Sequence, residues 1–452
     1  MLTRDFLSKL HCPYCEAPLV LESDLSAGDD ALNWGIVRCA CYRYPILDGI
    51  LVLQQHSPAF NTANRIVDLL DAGDRMGALA YALNATSPVP GPRSLVMRGL
   101  ELLERRGFSI GRSFREERDV HRRIVDDPSM SFYDALRALR PPIYADYLFY
   151  RHANPSFLAS IPLLAVFGTL SGGAVLDLAC GVGHTSFMIR HLFPQLDVVS
   201  ADHDLVNLYL ARRYISPDLT YICLNTEYPL PFPDGMFAGV WCLDGMHYVR
   251  SKVALGRDLK RVTEPTGFWL FPHLHNALVP NLSPGIPLSP DDYRRCFEPL
   301  NPRLFVEADV LKSQFDGKPL DLSARPSDEA LRRAPVVSLV AGKEDVWRSY
   351  AGLIERVWQA GGLQINPIYQ ARRGGSAIEL TLRWPSEVFR DECGASAEFI
   401  LKRVEVSQNL YQRLLEGRLE AADQEQIVAL IQSFVLLPLP EGYRRSSAGL
   451  AV

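Results

Sequence analysis

The chain has 452 residues, 48% of them hydrophobic and 22% charged, with a formal net charge of −5. That length fits two to four compact units, and the composition is that of an ordinary globular protein. The acidic balance argues against a mainly electrostatic nucleic-acid binder. No uninterrupted apolar run approaches the roughly 20 residues that span a membrane, and MLTRDFLSKLHCPYC is too polar for a signal peptide.

Residues 1–55 hold four of the nine cysteines, Cys12, Cys15, Cys39 and Cys41, and end in the strand-like stretch YPILDGILVL. The other five, Cys180, Cys223, Cys242, Cys296 and Cys393, are scattered through apolar stretches and read as small core hydrophobes. This usage predicts a cytoplasmic protein with one metal site, not a disulfide framework. Cys12 and Cys15 sit in a C-P-x-C knuckle, and Cys39 and Cys41 follow after 23 residues. Four thiolates would complete a tetrahedral zinc site, which lets a short segment fold with little core. The second pair is C-x-C, tighter than the usual C-x-x-C.

Residues 56–150 read as helical, with Ile66, Leu69 and Leu70 at near-helical spacing, broken by SPVPGPRS at Ser87 to Ser94. Arg93 to Arg123 contains nine arginines and five acidic residues. It is either a solvated helical face laced with charge pairs or a surface for RNA. Tyr144, Tyr147, Tyr150 and Arg151 close this block, at a spacing that fits one helix face.

Residues 151–343 open on Phe157 to Leu170, expected to be a buried helix, and then alternate short apolar runs with amphipathic segments. Strands are expected at Ala174 to Leu178, Asp197 to Ser200, Leu219 to Leu224, Phe237 to Leu243 and Gly267 to Pro272. Helices are expected at Thr185 to Leu192 and Leu205 to Tyr214. That alternation predicts βαβ units around a parallel sheet covered on both faces. LSPDDYRRCFEPLNPRLFVEADVL and PVVSLVAGK (Pro335 to Lys343) would finish the sheet. Residues 344–452, with a helix-then-hairpin pattern in IERVWQAGGLQINPIYQARRGGSAIELTLRWP, would form a separate C-terminal α+β unit. The expected fold class is therefore α/β. It comprises a Rossmann-like, doubly wound, mostly parallel sheet with an N-terminal β zinc-ribbon-like segment, a helical segment and a C-terminal α+β unit.

Within the third block, a strand ending near Asp177 runs through Ala179, Cys180, Gly181, Val182 and Gly183 into a helix. Glycines at 181 and 183 allow positive φ and let backbone approach a ligand closely, and the helix offers free N–H groups. A dinucleotide fingerprint would want a third glycine where Ser186 stands. An acid at Asp177 suits an ammonium-bearing ligand better than a pyrophosphate.

VLDLACGVGHTS closely resembles the first motif, VLDLGCGTG, of class I S-adenosylmethionine-dependent methyltransferases. VVSADHD (Val198 to Asp204) resembles the end of that family's second strand, where an acid holds the ribose hydroxyls. Asp202 is the better match and Asp204 the alternative. NTEYPLPFPDGMFAGVWCLDGMHYV (Asn225 to Val249) is similar to the family stretch D-A-E-x-LPFPDxxFDxVxxxxxLHHV, and GFWLFPHL to its fifth strand. The resemblance, over roughly residues 140–275, implies S-adenosyl-L-methionine as cofactor. It would be held by Asp177, Ala179, Gly181, Gly183, Asp202, His203, Asn225, Thr226 and Leu243, with Asn225 and Thr226 beside the adenine. The family usually has Asp where this chain has Asn225. In such enzymes the segment carrying Tyr144 to Arg151 can cover the cofactor.

CPYCEAPL followed by CxCYRYPILDGI resembles small zinc-ribbon proteins that partner methyltransferases, which implies structural zinc on Cys12, Cys15, Cys39 and Cys41 and a protein partner for the ribbon. Methyl transfer needs alignment and exclusion of water, and a base only where the acceptor must lose a proton. His184, His247, His273 and His275 fall at presumed C-terminal strand ends, where open α/β sheets bind ligands. Of these, His247, His273 and His275 are the catalytic candidates. His273 and His275, two apart on an extended segment, are expected to face opposite ways. The expected activity is methylation of a small-molecule acceptor of metabolite, quinone or lipid type. An rRNA or tRNA acceptor is the alternative, and a non-catalytic cofactor-binding scaffold is a third reading.

Overall fold

The computed structural model describes residues 1–26, 30–54, 60–86, 129–280, 285–374 and 377–443, with positions 124 and 127. The arginine-rich stretch from 93 to 123 lies outside the described residues. Ten strands and one more make a single mixed sheet. In chain order its members are β1 (Val20–Asp24), β2 (Gly35–Arg38), β3 (Arg43–Leu47), β4 (Ile50–Val52), β5 (Gly173–Leu178), β6 (Leu196–Asp202), β7 (Thr220–Cys223), β8 (Phe237–Trp241), β9 (Thr263–His275), β10 (Arg303–Val306) and β11 (Val336–Ala341). Their spatial order is β1-β2-β3-β4-β7-β6-β5-β8-β9-β11-β10.

The five strands β5 to β9 run parallel, with the chain order reversing beside β5, the switch point of a doubly wound sheet. β11 inserts antiparallel between β9 and β10, which closes that side as expected. Buried side chains cover both faces in two apolar layers, one containing Val175, Val198 and Tyr221 and the other Leu176, Val199 and Ile222. Adjacent residues of one strand belong to opposite layers, so nearly every position is apolar.

The stretch YPILDGILVL is not one strand but a hairpin. Asp48 (φ 46°) and Gly49 (φ 73°) form a two-residue turn of the type favoured by Asp-Gly. The turn lets β4 fold back on β3 and pair in parallel with β7, Ile50 opposite Tyr221 and Val52 opposite Cys223. The ribbon thus extends the central sheet, leaving β1 at its outer edge.

Ile66 and Leu70 are buried on the helix Phe60–Asp71. Phe157 to Leu170 is helical in two pieces, an α-helix Pro155–Ser160 and a 3-10 segment Ile161–Thr169 that begins where Pro162 cannot donate a helical hydrogen bond. The expected helix at Leu205 to Tyr214 is α over Leu205–Leu210 and widens into a π turn over Ala211–Ile215.

After residue 343 come the helix Leu353–Ala360 and the hairpin Tyr369–Gly374 with Ala377–Leu382, joined by Arg403–Ser407 in a three-stranded sheet. This C-terminal region shares a continuous apolar layer with the central sheet. Tyr443 stacks on Phe149 with ring centres 4.9 Å apart, and its hydroxyl bonds the Phe149 carbonyl.

Candidate active site

The loop after β5 has the backbone that its glycines require. φ is +57° at Gly181 and +78° at Gly183. A Cβ on Gly183 would lie 3.1 Å from the Ala211 methyl, whereas one on Gly181 would meet nothing within 4 Å. Gly183 is therefore needed for packing of the helix His184–Leu192, and Gly181 faces open space. Ala179, which stands where the family motif has Gly, also adopts a left-handed conformation (φ 58°), a strained choice for a residue with a Cβ.

Two expected cofactor residues tie this loop together. Asp177 is buried, and Ser186 Oγ donates to its carboxylate at 2.6 Å while Ser200 Oγ donates to Ser186 at 2.8 Å. Burial, the largest influence, pushes the Asp177 carboxyl up to about 7 against the Ser186 hydrogen bond. Asp177 thus supports the loop from beneath. Asp202, at the end of β6, accepts from the Gly181 N–H (2.8 Å) and the Asp204 N–H (2.8 Å), with His203 Nδ1 3.2 Å away. Burial opposes its charge, but His203 and these N–H groups hold it below the usual carboxylate range. Asp204, the alternative ribose ligand, is occupied elsewhere. It caps the helix Leu205–Leu210 and pairs with the buried Arg140 at 2.5 Å.

Asn225 follows β7, and its side chain accepts from the Glu227 N–H, with Thr226 in the turn. Gln54, leaving the ribbon, donates to the His203 carbonyl at 2.5 Å, so the ribbon reaches this end of the loop. Leu243 lies half-buried after β8.

On the other side of the loop, the three candidate histidines gather around one residue that the sequence reading did not single out, Asp244. A Cβ on its neighbour Gly245 would lie 2.5 Å from that of Ala179, so the Asp244 turn backs directly onto the glycine loop. Asp244 Oδ2 accepts from Arg151 (2.8 Å) and Tyr147 (3.2 Å). Its Oδ1 lies 3.9 Å from His247 Nδ1, 3.9 Å from His273 Nε2 and 3.6 Å from His275 Nε2. Burial opposes the charge on Asp244, but His273, Arg151 and His275 outweigh it and hold the carboxyl far below its ordinary range.

His273 and His275 do not face opposite ways. The pairing of β9 with β11 slips by one residue between Phe271 and Leu274, and His273 takes φ +60° within this bulge. The left-handed residue breaks the strand's alternation, so both rings reach Asp244 and their centres are 5.0 Å apart. His273 Nδ1 lies 3.0 and 3.1 Å from the two oxygens of buried Glu307, which fixes the ring. Burial lowers His273's proton affinity, but Glu307 and Asp244 together raise it above the ordinary value. His247 is buried and is held down to about 4 by that burial, with the Asp244 carboxylate opposing.

His184 points elsewhere, into an aromatic layer with His152 (ring centres 4.4 Å) and Phe157. Asp244 was legible as an acid three residues before His247 at a strand end. Glu307 carried no sequence signal, because it opens a helix 34 residues beyond its partner.

The four N-terminal cysteines meet at the ribbon's two turns. Their sulfurs lie within 4.8 Å of one another, and all nine cysteines are free thiols. The Tyr14 N–H points at Cys12 Sγ (3.4 Å), and the Cys41 and Tyr42 N–H groups point at Cys39 Sγ (3.4 and 3.3 Å). Backbone donors aimed at sulfur favour thiolates, so this donor set fits a four-coordinate zinc ion, C-x-C spacing included. The ring of Tyr14 packs on Tyr228 (4.8 Å) and the His11 N–H bonds the Pro231 carbonyl, which fastens the knuckle to the LPFPDG loop.

Comparison with known proteins finds a family match over part of the chain. Residues 175–267 match a family described as a methyltransferase domain. The 2-methyl-6-phytyl-1,4-hydroquinone methyltransferase of Synechocystis sp. (strain ATCC 27184 / PCC 6803 / Kazusa) is 25% identical over 179 residues, 38% of this chain and 54% of that one. The chain thus spans about half the length of this curated relative. Among solved structures, a chain of the Haloferax volcanii complex containing the Trm112 methyltransferase activator is 16% identical. The match covers 42% of this chain and 93% of that one with a TM-score of 0.33. Geranyl diphosphate C-methyltransferase from Streptomyces coelicolor A3(2) is 15% identical, with coverage of 39% and 73% and a TM-score of 0.30. No helix among the described residues is long and apolar enough to cross a membrane.

Proposed function

We propose that this chain, whose residues 175–267 are a methyltransferase domain, is an S-adenosylmethionine-dependent methyltransferase acting on a small molecule. The observation that carries the proposal is adjacency. A glycine loop braced by Asp202 and a recessed set of histidines around Asp244 lie back to back at the same ends of the parallel strands. When bound, S-adenosylmethionine supplies a methyl group on a sulfonium, transferred in line to the acceptor as the carbon–sulfur electron pair returns to sulfur.

In this reading Asp202, with His203 beside it, takes the ribose hydroxyls, since Asp204 is committed to its helix cap and Arg140. Asn225, Thr226 and Leu243 flank the adenine, and the backbone from Ala179 to Gly183 receives the amino-acid end. Asp177 acts through Ser186 to hold the loop's shape. Asp244 and His247 orient the acceptor's polar atom and His273 or His275 takes its proton, while Tyr147 and Arg151 cover them from one side.

A small acceptor is supported by this recess. The side chains of His247, His273, His275 and Asp244 are only 1%, 8%, 16% and 16% exposed, which suits a buried headgroup better than a nucleotide within folded RNA. The hydroquinone named for the Synechocystis relative points to hydroxylated rings as the first acceptors to try. Cys12, Cys15, Cys39 and Cys41 would hold a structural zinc ion. A protein partner that adds to the ribbon's β4 edge is disfavoured, because that edge is already paired with β7 of the same chain.

Calorimetric titration with S-adenosylmethionine and S-adenosylhomocysteine tests this function. Both should bind one per chain, and Asp202→Ala should weaken them at least ~10-fold through lost hydrogen bonds to the ribose. Absence of binding to the wild-type chain would sink the proposal.

A further inference from the structure

We propose that Asp244, His247 and His275 bind a divalent transition-metal ion whose open positions take an oxygen of the acceptor. One potential ligand atom from each residue lies within 4.8 Å of the other two. Metal–nitrogen and metal–oxygen bonds of about 2.0–2.2 Å set ligand atoms roughly 3–3.5 Å apart. The observed 3.6 and 3.9 Å from Asp244 Oδ1 to His275 and His247 therefore need only a small closure.

The division of labour at Asp244 supports the assignment. Its Oδ2 is occupied by Arg151 and Tyr147, which fix the carboxylate and leave Oδ1 turned toward the imidazoles. His247 is 1% exposed, yet its Nδ1, aimed at this oxygen, has no hydrogen-bond partner. Buried imidazole nitrogens are normally satisfied, and this one, unlike the orphan nitrogens of His152 and His184 in the aromatic layer, faces a carboxylate oxygen.

The donor set narrows the metal. Two imidazoles and one carboxylate suit zinc, iron(II), cobalt(II) or manganese(II), whereas calcium and magnesium prefer all-oxygen surroundings. Three protein ligands leave positions free for exogenous oxygen. His273, clamped by Glu307 and 3.9 Å from the same Oδ1, provides the outer support that metal sites use to orient their ligands. Asp244 is the one anionic ligand of the set and is already paired with Arg151, so a bound dication keeps a net positive charge that an anionic acceptor oxygen (a phenolate, an enolate or a carboxylate) would offset.

The acceptor half of this proposal rests on the methyltransferase reading, whereas the metal half does not. Cobalt(II) titrated into metal-stripped full-length protein separates them. The cysteine site, when filled, gives intense sulfur-to-cobalt charge-transfer absorption, and the histidine site gives only weak visible bands. We expect one equivalent of the weak-band kind in wild type. His275→Ala and His247→Ala should each weaken it by on the order of 100-fold, and Cys41→Ser should leave it intact. Circular dichroism of each variant shows whether it folds, and Asp244→Asn serves as a further ligand variant if a histidine variant does not. Cobalt taken up only with charge-transfer absorption, or uptake unchanged in all three ligand variants, overturns the metal site. Cobalt binding in the histidine site together with no affinity for S-adenosylmethionine overturns the methyltransferase reading and leaves the metal site standing.

Discussion

Among the described residues two clusters carry side chains of metal-ligating type, and they are built in opposite ways. The cysteine cluster comes from two turns of one short ribbon, Cys12 with Cys15 and Cys39 with Cys41. The histidine cluster is drawn from three separate places: the turn holding Asp244 and His247, the bulged end of β9, and a helix that begins at Glu307. The first organises a segment with little core of its own. The second is organised by a completed core, and its polar atoms are spared for a ligand. On the functions proposed above, the local cluster would serve folding and the assembled one chemistry.

That contrast can be broken by making each cluster do the other's work. The largest effect is expected at the assembled cluster. His275→Asn should lower methyl transfer by on the order of 100-fold or more in kcat with little change in thermal midpoint, because it leaves the Arg151–Asp244 pair intact. A midpoint fall as large as that of a cysteine variant would show His275 to be structural. At the local cluster, chelation or Cys39→Ser should cost the ribbon several kcal/mol. It would be read as lost hydrogen-exchange protection at Leu32, Tyr44 and Ile46, with the protection of Val199 retained. Uniform loss across the sheet would mean that the ribbon and the central strands unfold as one unit.

A third measurement probes what supports the glycine loop. Asp177 has its carboxyl raised from 3.8 to about 7, so the folded protein keeps a proton that the unfolded chain releases. The stability associated with it is complete below about pH 4 and is lost as pH rises to about 7, by at most about 4 kcal/mol. Asp177→Asn, which still accepts from Ser186, should remove this slope, and denaturant titrations from pH 4 to 8 would show it. An unchanged slope would mean that the carboxyl titrates normally. The smallest effect concerns the same loop. Ala179→Gly should stabilise the fold by about 1 kcal/mol by relieving the left-handed Cβ. A loss instead would mean that the methyl's contact with Gly245 outweighs the strain.

Legibility in the sequence followed the same divide. The βαβ alternation, the glycine loop and the cysteine pairs are local patterns, and each lies within a short window. The boundaries of β5 and of the helix beginning at His184 were within a residue of those expected. The hairpin in YPILDGILVL was hidden because the residues on either side of its turn, Tyr44 to Leu47 and Ile50 to Leu53, are all buried and read as one apolar run, although Asp48-Gly49 carried the turn signal. The histidine cluster was only half legible. Alternation correctly describes an ideal strand, and a one-residue bulge, set by pairing with β11 some sixty residues later, reverses its prediction for His273 and His275. Asp244 and Glu307 become meaningful only once that strand is in place.

The parallel pairing of β4 with β7 has a consequence for how the chain assembles during synthesis. Ile50 leaves the ribosome long before Tyr221 exists to receive it, so a buried, wholly apolar strand waits with its hydrogen-bonding edge uncovered. Such edges recruit stray strands from other chains. A ribbon closed early around four sulfurs would hold β4 in its hairpin and shorten the list of wrong neighbours. In that light a metal-closed cysteine knuckle would act as a timing device, keeping one edge of the sheet presentable until the rest of it has been made.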